Sequence, residues 1–186
     1  GRRSVRLRVN YRTTQQIRQW AQAILEGQEI DDLDDSPADI RGDRSLYRGK
    51  YGPEIKMAGS EREQAELIAG WVKELMQEGI APHEVCITPY SEIVVQALES
   101  SGISTSQLFA RQPDLGEADN KVRLGAMERI KGLEFRAVAL ACADKLDPLN
   151  HLQESTLSDR CMRYVAATRA RERLLVIVAT ITNNLS

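Results

Sequence analysis

The feature that most constrains the fold is a fully apolar run near the carboxyl end of the chain. Leu174 to Ala179 contains six apolar residues in succession, without the polar alternation of a half-exposed strand. Short runs of this kind are typical of strands that are buried on both faces, which occur in parallel sheets covered by helices. The run therefore predicts an α/β domain with a parallel sheet.

The rest of the chain alternates between strand patterns and helix patterns, as in a doubly wound sheet. Further strands are predicted at Val5–Val9, Glu54–Ala58, Val85–Thr88, Ser104–Leu108, Val122–Met127 and Ala137–Ala143. Helices are predicted from Thr13 to about Leu25, from Ser60 to about Gly79, at Glu92–Ser100 and at Ser158–Arg171. Two of these helices open on capping-box patterns, Thr13 with Gln16 and Ser60 with Glu63.

One segment breaks the alternation. Residues 27–52 include an acidic run, Glu29 to Asp35, followed by proline and several glycines, which favours a mobile, solvated loop. A metal site is the alternative for these carboxylates, but the spacing of a calcium loop and its turn glycine are absent. We therefore expect a single domain over residues 1–186 that carries this loop and no metal.

Composition limits the classes of function. The formal net charge is −2, so there is no general basic field, and any contact with nucleic acid must be local or shared with another domain. Cys86, Cys142 and Cys161 are far apart in apolar runs, which fits reduced core thiols of a cytoplasmic protein better than disulfides or zinc ligands. No apolar run approaches the roughly 18 residues of a membrane span.

Three clusters of residues carry candidate chemistry. In the first, Tyr11 and Arg12 stand between a predicted strand and a predicted helix, where ligands of open α/β sheets bind. An aromatic ring there can stack on a base, and an arginine there can make a bidentate contact with phosphate. The alternative is a surface pair that flanks a helix cap, and position alone does not separate the two.

The second cluster, Lys131 to Phe135, lies between two predicted strands. Gly132 allows a turn with positive φ or a close approach of the backbone to a ligand. Glu134 can accept hydrogen bonds from a ribose or orient an arginine. The alternative is a plain turn that Leu133 and Phe135 anchor in the core.

The third cluster lies on the last predicted helix. Met162, Val165, Ala166 and Arg169 are spaced along one helical stripe, so Arg169 is expected on or beside the buried face. An arginine in that position needs an anionic partner. That partner can be an internal carboxylate such as Glu134, or a phosphate from outside the domain.

A phosphate loop of the pattern G-x-x-x-x-G-K-[S/T] is absent from the sequence. Such a loop holds the β- and γ-phosphates and provides a hydroxyl for Mg²⁺. The chain therefore lacks the residues for hydrolysing a nucleoside triphosphate by itself.

Taken together, the three clusters resemble motifs IV, V and VI of the UvrD/Rep/PcrA-type superfamily 1 DNA helicases. The segments Asn10–Thr14, Lys131–Phe135 and Tyr164–Ala170 follow one another in the order of that family. The resemblance covers the chain from about Val5 to Ala179. It implies the second, C-terminal RecA-like domain of such a helicase, a P-loop NTPase-like fold without its own P-loop.

The resemblance also implies roles in an ATP site. Tyr11 would stack near the adenine and Arg12 would reach the γ-phosphate. Lys131, Gly132 and Glu134 would line the nucleotide, with Glu134 near the ribose. Arg169 would be the arginine finger that stabilises charge on the transferred phosphoryl group. Arg12 and Arg169 are thus the candidate catalytic residues.

The sequence departs from the family in the segment that holds single-stranded DNA. The usual threonine and histidine ahead of Lys131 are replaced by Ala126 and Glu128. Ala126, Glu128 and Arg129 are the candidate DNA-binding residues by position, although a carboxylate at Glu128 would repel phosphate. The large accessory insertion of UvrD is also absent, and only Gln112–Asn120 stands in its place.

The function implied is that of the second motor domain of an ATP-dependent DNA helicase, bacterial, cytoplasmic and active in DNA repair. Its cofactor would be ATP, with Mg²⁺ held by a missing N-terminal RecA-like domain of the same protein. Single-stranded DNA would be the other partner, with no membrane involved. The alternative is a degenerate, non-catalytic RecA-like module that binds DNA or a partner protein.

Overall fold

A computed structural model of the chain describes residues 9–10, 14–25, 44–45, 52–141 and 157–179. Strands and α-helices alternate along these ranges. The strands are β1 (Val9–Asn10), β2 (Arg44–Ser45), β3 (Glu54–Ala58), β4 (Val85–Thr88), β5 (Thr105–Gln107), β6 (Val122–Leu124), β7 (Phe135–Leu140) and β8 (Ala170–Ala179). The helices are α1 (Gln15–Leu25), α2 (Glu61–Gln77), α3 (Glu92–Ser100) and α4 (Leu157–Thr168).

Six of the strands form one sheet, in the order β3-β8-β7-β4-β6-β5, and every pairing within it is parallel. The apolar run at the end of the chain is part of β8, between β3 and β7. Its residues Leu174, Leu175, Val176 and Ile177 are fully buried. The predicted parallel sheet with helices on both faces is therefore confirmed.

Each face of the sheet has its own apolar cluster, which assigns the helices to two layers. Leu175 and Ile177 pack in a cluster with Trp71 of α2 and Leu98 of α3. On the opposite face, a second cluster unites strands β7 and β8 with α1 and α4; its members include Ile17, Ala21, Tyr164, Ala167, Leu174 and Val176. None of the helices in the described ranges is long and apolar enough to cross a membrane.

The predicted ends of α2 are confirmed in detail. The Ser60 hydroxyl accepts a hydrogen bond from the amide of Glu63 at 3.1 Å. The Glu63 carboxylate accepts in return from the amide of Gly59, at 2.7 Å, rather than from the cap residue itself. At the other end Gly79 has φ +91°, a conformation that glycine adopts without steric cost and that stops the helix.

Two boundaries near the amino end of the chain differ from prediction. The cap of α1 is Thr14, whose hydroxyl accepts from the amide of Ile17, so the predicted pairing of Thr13 with Gln16 is displaced by one residue. Strand β1 and strand β2 pair in parallel, so Arg44–Ser45 form a strand within the segment predicted as loop. The acidic run of that segment and residues 1–8 lie outside the described residues.

The helix predicted through Arg171 ends earlier, at Thr168, and β8 begins at Ala170. The cause is tertiary. The carbonyl of Arg169 accepts a hydrogen bond from the amide of Phe135, at 3.0 Å, which draws the chain into the sheet. Strand β6 is also shorter than predicted and ends at Leu124, after which the amide of Gly125 still makes a ladder bond to the Ile87 carbonyl of β4.

A buried arginine closes the connection between β5 and β6. Arg123 is fully buried, and its guanidinium lies 2.6 Å from Asp114 and 2.7 Å from Asp119, with a further bond of 2.6 Å to the Gly116 carbonyl. Partial burial alone would raise the pKa of Asp119, but the hydrogen bond and charge of Arg123 hold that pKa below its ordinary value. The polar turn Gln112–Asn120 is therefore folded around a cation.

We predict that Arg123→Met lowers the free energy of unfolding by about 3 kcal/mol, because it leaves two partly buried carboxylates without their cation. The matched control is Arg62→Met, which removes an exposed pair with Glu66, with an expected loss below about 1 kcal/mol. Urea denaturation monitored by circular dichroism measures both. Equal losses in the two variants would show that Arg123 is not the anchor of this turn.

Candidate functional site

The parallel sheet has an amino edge, where its strands begin, and a carboxyl edge, where they end. Glu134 directly precedes β7 and Arg169 directly precedes β8. The first residues of these two strands, Phe135 and Ala170, are register partners. The sheet therefore brings Glu134 and Arg169 next to each other at its amino edge, although 35 positions separate them along the chain.

Arg169 is held at the junction of α4 and β8. Its amide donates to the Ala166 carbonyl at 3.2 Å, and its Nε donates to the Val165 carbonyl, also at 3.2 Å. Its Nη2 lies 3.4 Å from the Thr168 hydroxyl, which in turn donates to Val165. The side chain is half-buried, as expected from the helical stripe, and its charge sits at the negative end of the α4 dipole.

The structure tests the predicted conformation of the Lys131–Phe135 segment, whereas its predicted contacts with a nucleotide stay predictions. Phe135 is buried in the α1 and α4 cluster and Leu133 packs against it, so the turn is anchored in the core. Gly132 has φ +81°, which confirms the positive φ that the glycine allows. Lys131 and Glu134 are exposed on this anchored turn.

Beyond Phe135, an ionic cluster ties the amino ends of three adjacent strands. Arg136 of β7 donates to Glu172 of β8 at 3.0 Å and to Glu84, just before β4, at 3.3 Å. These contacts raise the pKa of Arg136, chiefly through the hydrogen bond to Glu172. A neighbouring cluster joins Arg173 of β8 to Glu54 of β3, at 2.6 Å, and to Glu78.

Tyr11 and Arg12 lie outside the described residues, so their predicted contacts with ATP stay predictions. Helix α1, which follows them in the chain, is described from Gln15. It packs on α4 and β8, and it shares the apolar cluster of Phe135 and Ala170.

A groove of about 820 Å³ opens at the other end of the sheet, beyond β4, β5 and β6. The candidate DNA-binding residues Ala126, Glu128 and Arg129 line it, together with Lys131 and Gly132. Ala126 and Glu128 are exposed on its wall. The connection from β6 to β7 thus runs from this groove to the amino edge, because its last residue is Glu134.

Two aromatic side chains that sequence reasoning missed also line the groove. Tyr90 and Phe109 are exposed by 37% and 49%, far more than a core aromatic. The Tyr90 hydroxyl donates to Glu92 at 2.6 Å, which raises the pKa of Tyr90 and keeps it protonated. The available signal was the position of each ring, since Tyr90 lies two residues after β4 and Phe109 lies two residues after β5.

Arg129 acts on the chain's own backbone. Its Nε donates to the Phe109 carbonyl at 2.5 Å, and its Nη2 donates to the Gln112 carbonyl. Arg111, between them, has φ +64°. Arg129 therefore fixes the turn that carries Phe109, a role that was not foreseen.

The described residues contain no group of three or more His, Cys, Asp and Glu side chains that could hold a metal ion. Cys86 is a free, buried thiol, and burial raises its pKa far above the ordinary value. This confirms a core role for Cys86. Cys142 and the side chain of Cys161 lie outside the described part of the chain.

The sequence from Tyr90 onward matches a known family. Residues 90–180 fit the family described as the UvrD-like helicase C-terminal domain. Over these residues, just under half of the chain, the sequence is similar to that family. The UvrD-like region contains Glu134, Arg169 and both groove aromatics, so it covers both edges of the site.

A solved structure supports the fold of the whole chain. It is the C-terminal domain of a possible DNA helicase from Lactobacillus plantarum. The two share a TM-score of 0.63 over 91% of this chain and 88% of that one, at 19% identity. The chain therefore has an α/β, RecA-like fold similar to that of this solved domain. No curated protein matches the chain in sequence.

We predict that Gly132→Ala lowers the free energy of unfolding by about 1 kcal/mol, because alanine is strained at positive φ. A Cβ at Gly132 meets nothing within 4 Å, so the loss would come from the backbone alone. The control is Gly70→Ala, an exposed site on α2 that is equally open. At Gly70 alanine should raise the free energy of unfolding by about 0.5–1 kcal/mol. If both variants change the free energy of unfolding in the same direction, strain at the positive φ of Gly132 is contradicted.

Proposed function

We propose that this domain is the second motor domain of an ATP-dependent DNA helicase or translocase. Its amino edge would complete an ATP site on another RecA-like domain of the same protein, which carries the phosphate loop and Mg²⁺. The observation that carries the proposal is the pairing of Phe135 with Ala170, which puts Glu134 and Arg169 side by side. A bacterial, cytoplasmic setting and a role in DNA repair follow from the resemblance and stay predictions.

Arg169 suits the role of an arginine finger. It is half-buried, so its guanidinium is already partly stripped of water, and its backbone is bonded on both sides. A preorganised cation of this kind stabilises the charge that develops on a transferred phosphoryl group without reorganising during the reaction. The bonds of Nε and Nη2 to Val165 and Thr168 define a resting position from which phosphate oxygens can attract it.

The other nucleotide contacts are proposed from the family resemblance. Glu134 would accept from the ribose, with Gly132 and Lys131 beside it on the anchored turn. Tyr11 would stack on the adenine and Arg12 would contact the γ-phosphate. These assignments rest on the family resemblance, supported for Glu134 by its position next to Arg169.

The groove at the carboxyl edge is proposed as the path of single-stranded DNA. Exposed aromatic rings give bases a surface for stacking, and nearby cations attract the backbone. The groove offers Tyr90 and Phe109 for stacking, with Arg111 as a cation. Stacking would replace the hydrogen bonds that Ala126 and Glu128 cannot donate.

The second candidate is a non-catalytic RecA-like module that binds DNA or a partner protein. It is favoured by one observation, the exposed Glu128 on the groove wall, which would repel phosphate. The two candidates differ in whether the protein with both domains hydrolyses ATP.

We predict that Arg169→Ala lowers the kcat of DNA-stimulated ATP hydrolysis by about 10³-fold or more, because the finger stabilises the transition state. The protein with both RecA-like domains is assayed for phosphate release with oligo-dT. Arg171→Ala is the control, an exposed arginine two residues away, and it should keep wild-type turnover. An Arg169→Ala protein as active as wild type would refute the finger, and a wild type without turnover would favour the non-catalytic module.

We predict that Phe109→Ala weakens binding of oligo-dT by about 5- to 150-fold, the loss expected for one stacked base. Fluorescence anisotropy with a labelled oligonucleotide measures this dissociation constant. Leu115→Ala is the matched control, since Leu115 is exposed by 61% but does not line the groove. Equal affinities for the Phe109→Ala protein and wild type would remove the groove from the DNA path.

A further inference from the structure

The pairing of β7 with β8 contains an irregularity beside the candidate ATP edge. Phe135 is the partner of Ala170, but the next partners are Ala137 and Arg173. Two residues of β8, Arg171 and Glu172, therefore oppose the single residue Arg136 of β7. This is the arrangement of a β-bulge, which inserts one extra residue into one of two strands.

The bulge determines where Arg169 lies. A regular ladder continued back from Ala137 and Arg173 would pair Phe135 with Arg171 instead of Ala170. The residues of β8 before the bulge would then shift by one residue relative to β7, which is about 3.3 Å along the strand. Their side chains would face the opposite side of the sheet. Arg169 would lose its bond to the amide of Phe135 and its place beside Glu134.

A set of ion pairs holds the bulge in this register. Glu172, a residue of the bulge, accepts from Arg136 at 3.0 Å, and Arg136 also donates to Glu84 at 3.3 Å. Glu84 is itself fixed, because it accepts from the amide of Ala81 at 2.9 Å. The Arg136, Glu172 and Glu84 side chains are about 30% exposed, so solvent screens these pairs less than fully exposed ones.

We propose that Arg136 and Glu172 are positioning residues for Arg169. Their ion pair fixes the bulge, and the bulge sets the register that brings Arg169 to the nucleotide edge. They touch neither nucleotide nor DNA. This inference rests on the proposed function, and it adds the interaction that positions Arg169 for that function.

The test is Glu172→Gln, which keeps the shape of the side chain and removes its charge. We expect kcat for DNA-stimulated ATP hydrolysis to fall by roughly 10- to 100-fold, since an error of about 1 Å in a catalytic group has this effect. The KM for ATP and the dissociation constant for oligo-dT should stay within about 2-fold, because the binding groups are intact. A loss of stability alone would lower the amount of active protein and leave kcat per folded molecule unchanged.

The matched control is Glu54→Gln. Glu54 pairs with Arg173 of the same strand at 2.6 Å and is 29% exposed, close to Glu172. Glu54 lies on the edge strand β3, on the side of β8 opposite β7, and Arg173 keeps its second ion pair with Glu78, so the variant should keep wild-type kcat. Glu172→Asp keeps the charge and is expected to recover at least half of the lost kcat.

A second measurement reports on the bulge without any hydrolysis. In the 186-residue chain, exchange of the Phe135 amide with solvent should be faster in Glu172→Gln than in wild type, since this amide bonds to Arg169. Unchanged exchange, unchanged kcat, or an equal fall in kcat in Glu54→Gln would each overturn the inference. If the Arg169→Ala protein keeps the wild-type kcat, the proposed function fails as well. If Arg169→Ala is inactive but Glu172→Gln keeps the wild-type kcat, only the positioning role is refuted.

Discussion

The candidate site depends on the hydrogen bond between the amide of Phe135 and the carbonyl of Arg169. This bond ends α4, starts β8 and joins two segments that are far apart in sequence. Through it the neighbouring strands β7 and β8 begin side by side, so the residues just before them, Glu134 and Arg169, share one edge. The surrounding apolar cluster, which includes Phe135 and Ala170, keeps the junction rigid.

The two edges of the sheet are chemically different. The amino edge carries arginines, of which Arg136 and Arg173 are paired with carboxylates. The carboxyl edge carries two exposed aromatic rings, Tyr90 and Phe109, and Arg129 fixes the turn that carries Phe109. One connection, from β6 to β7, reaches from the groove to Glu134, so it links the proposed DNA path to the proposed ATP edge.

Local sequence patterns predicted most of the fold, since β3, β4 and α3 have the predicted bounds and the apolar run of β8 is buried on both faces. The misses have tertiary causes. Helical spacing continued α4 through Arg171, because nothing local shows that Phe135 captures the Arg169 carbonyl. The bulge at Glu172 and the anchoring role of Arg129 depend on partners distant in sequence. Arg169 was singled out by its stripe, but its proximity to Glu134 needed the sheet register.

The most direct test of the central claim is a crystal structure of the protein with both RecA-like domains, bound to Mg²⁺, ADP and a phosphate transition-state mimic. The account predicts the nucleotide at the amino edge of this sheet, with the Arg169 guanidinium bonded to the mimic and Glu134 near the ribose. A nucleotide bound instead in the groove of Tyr90 and Phe109, or remote from Arg169, would contradict it.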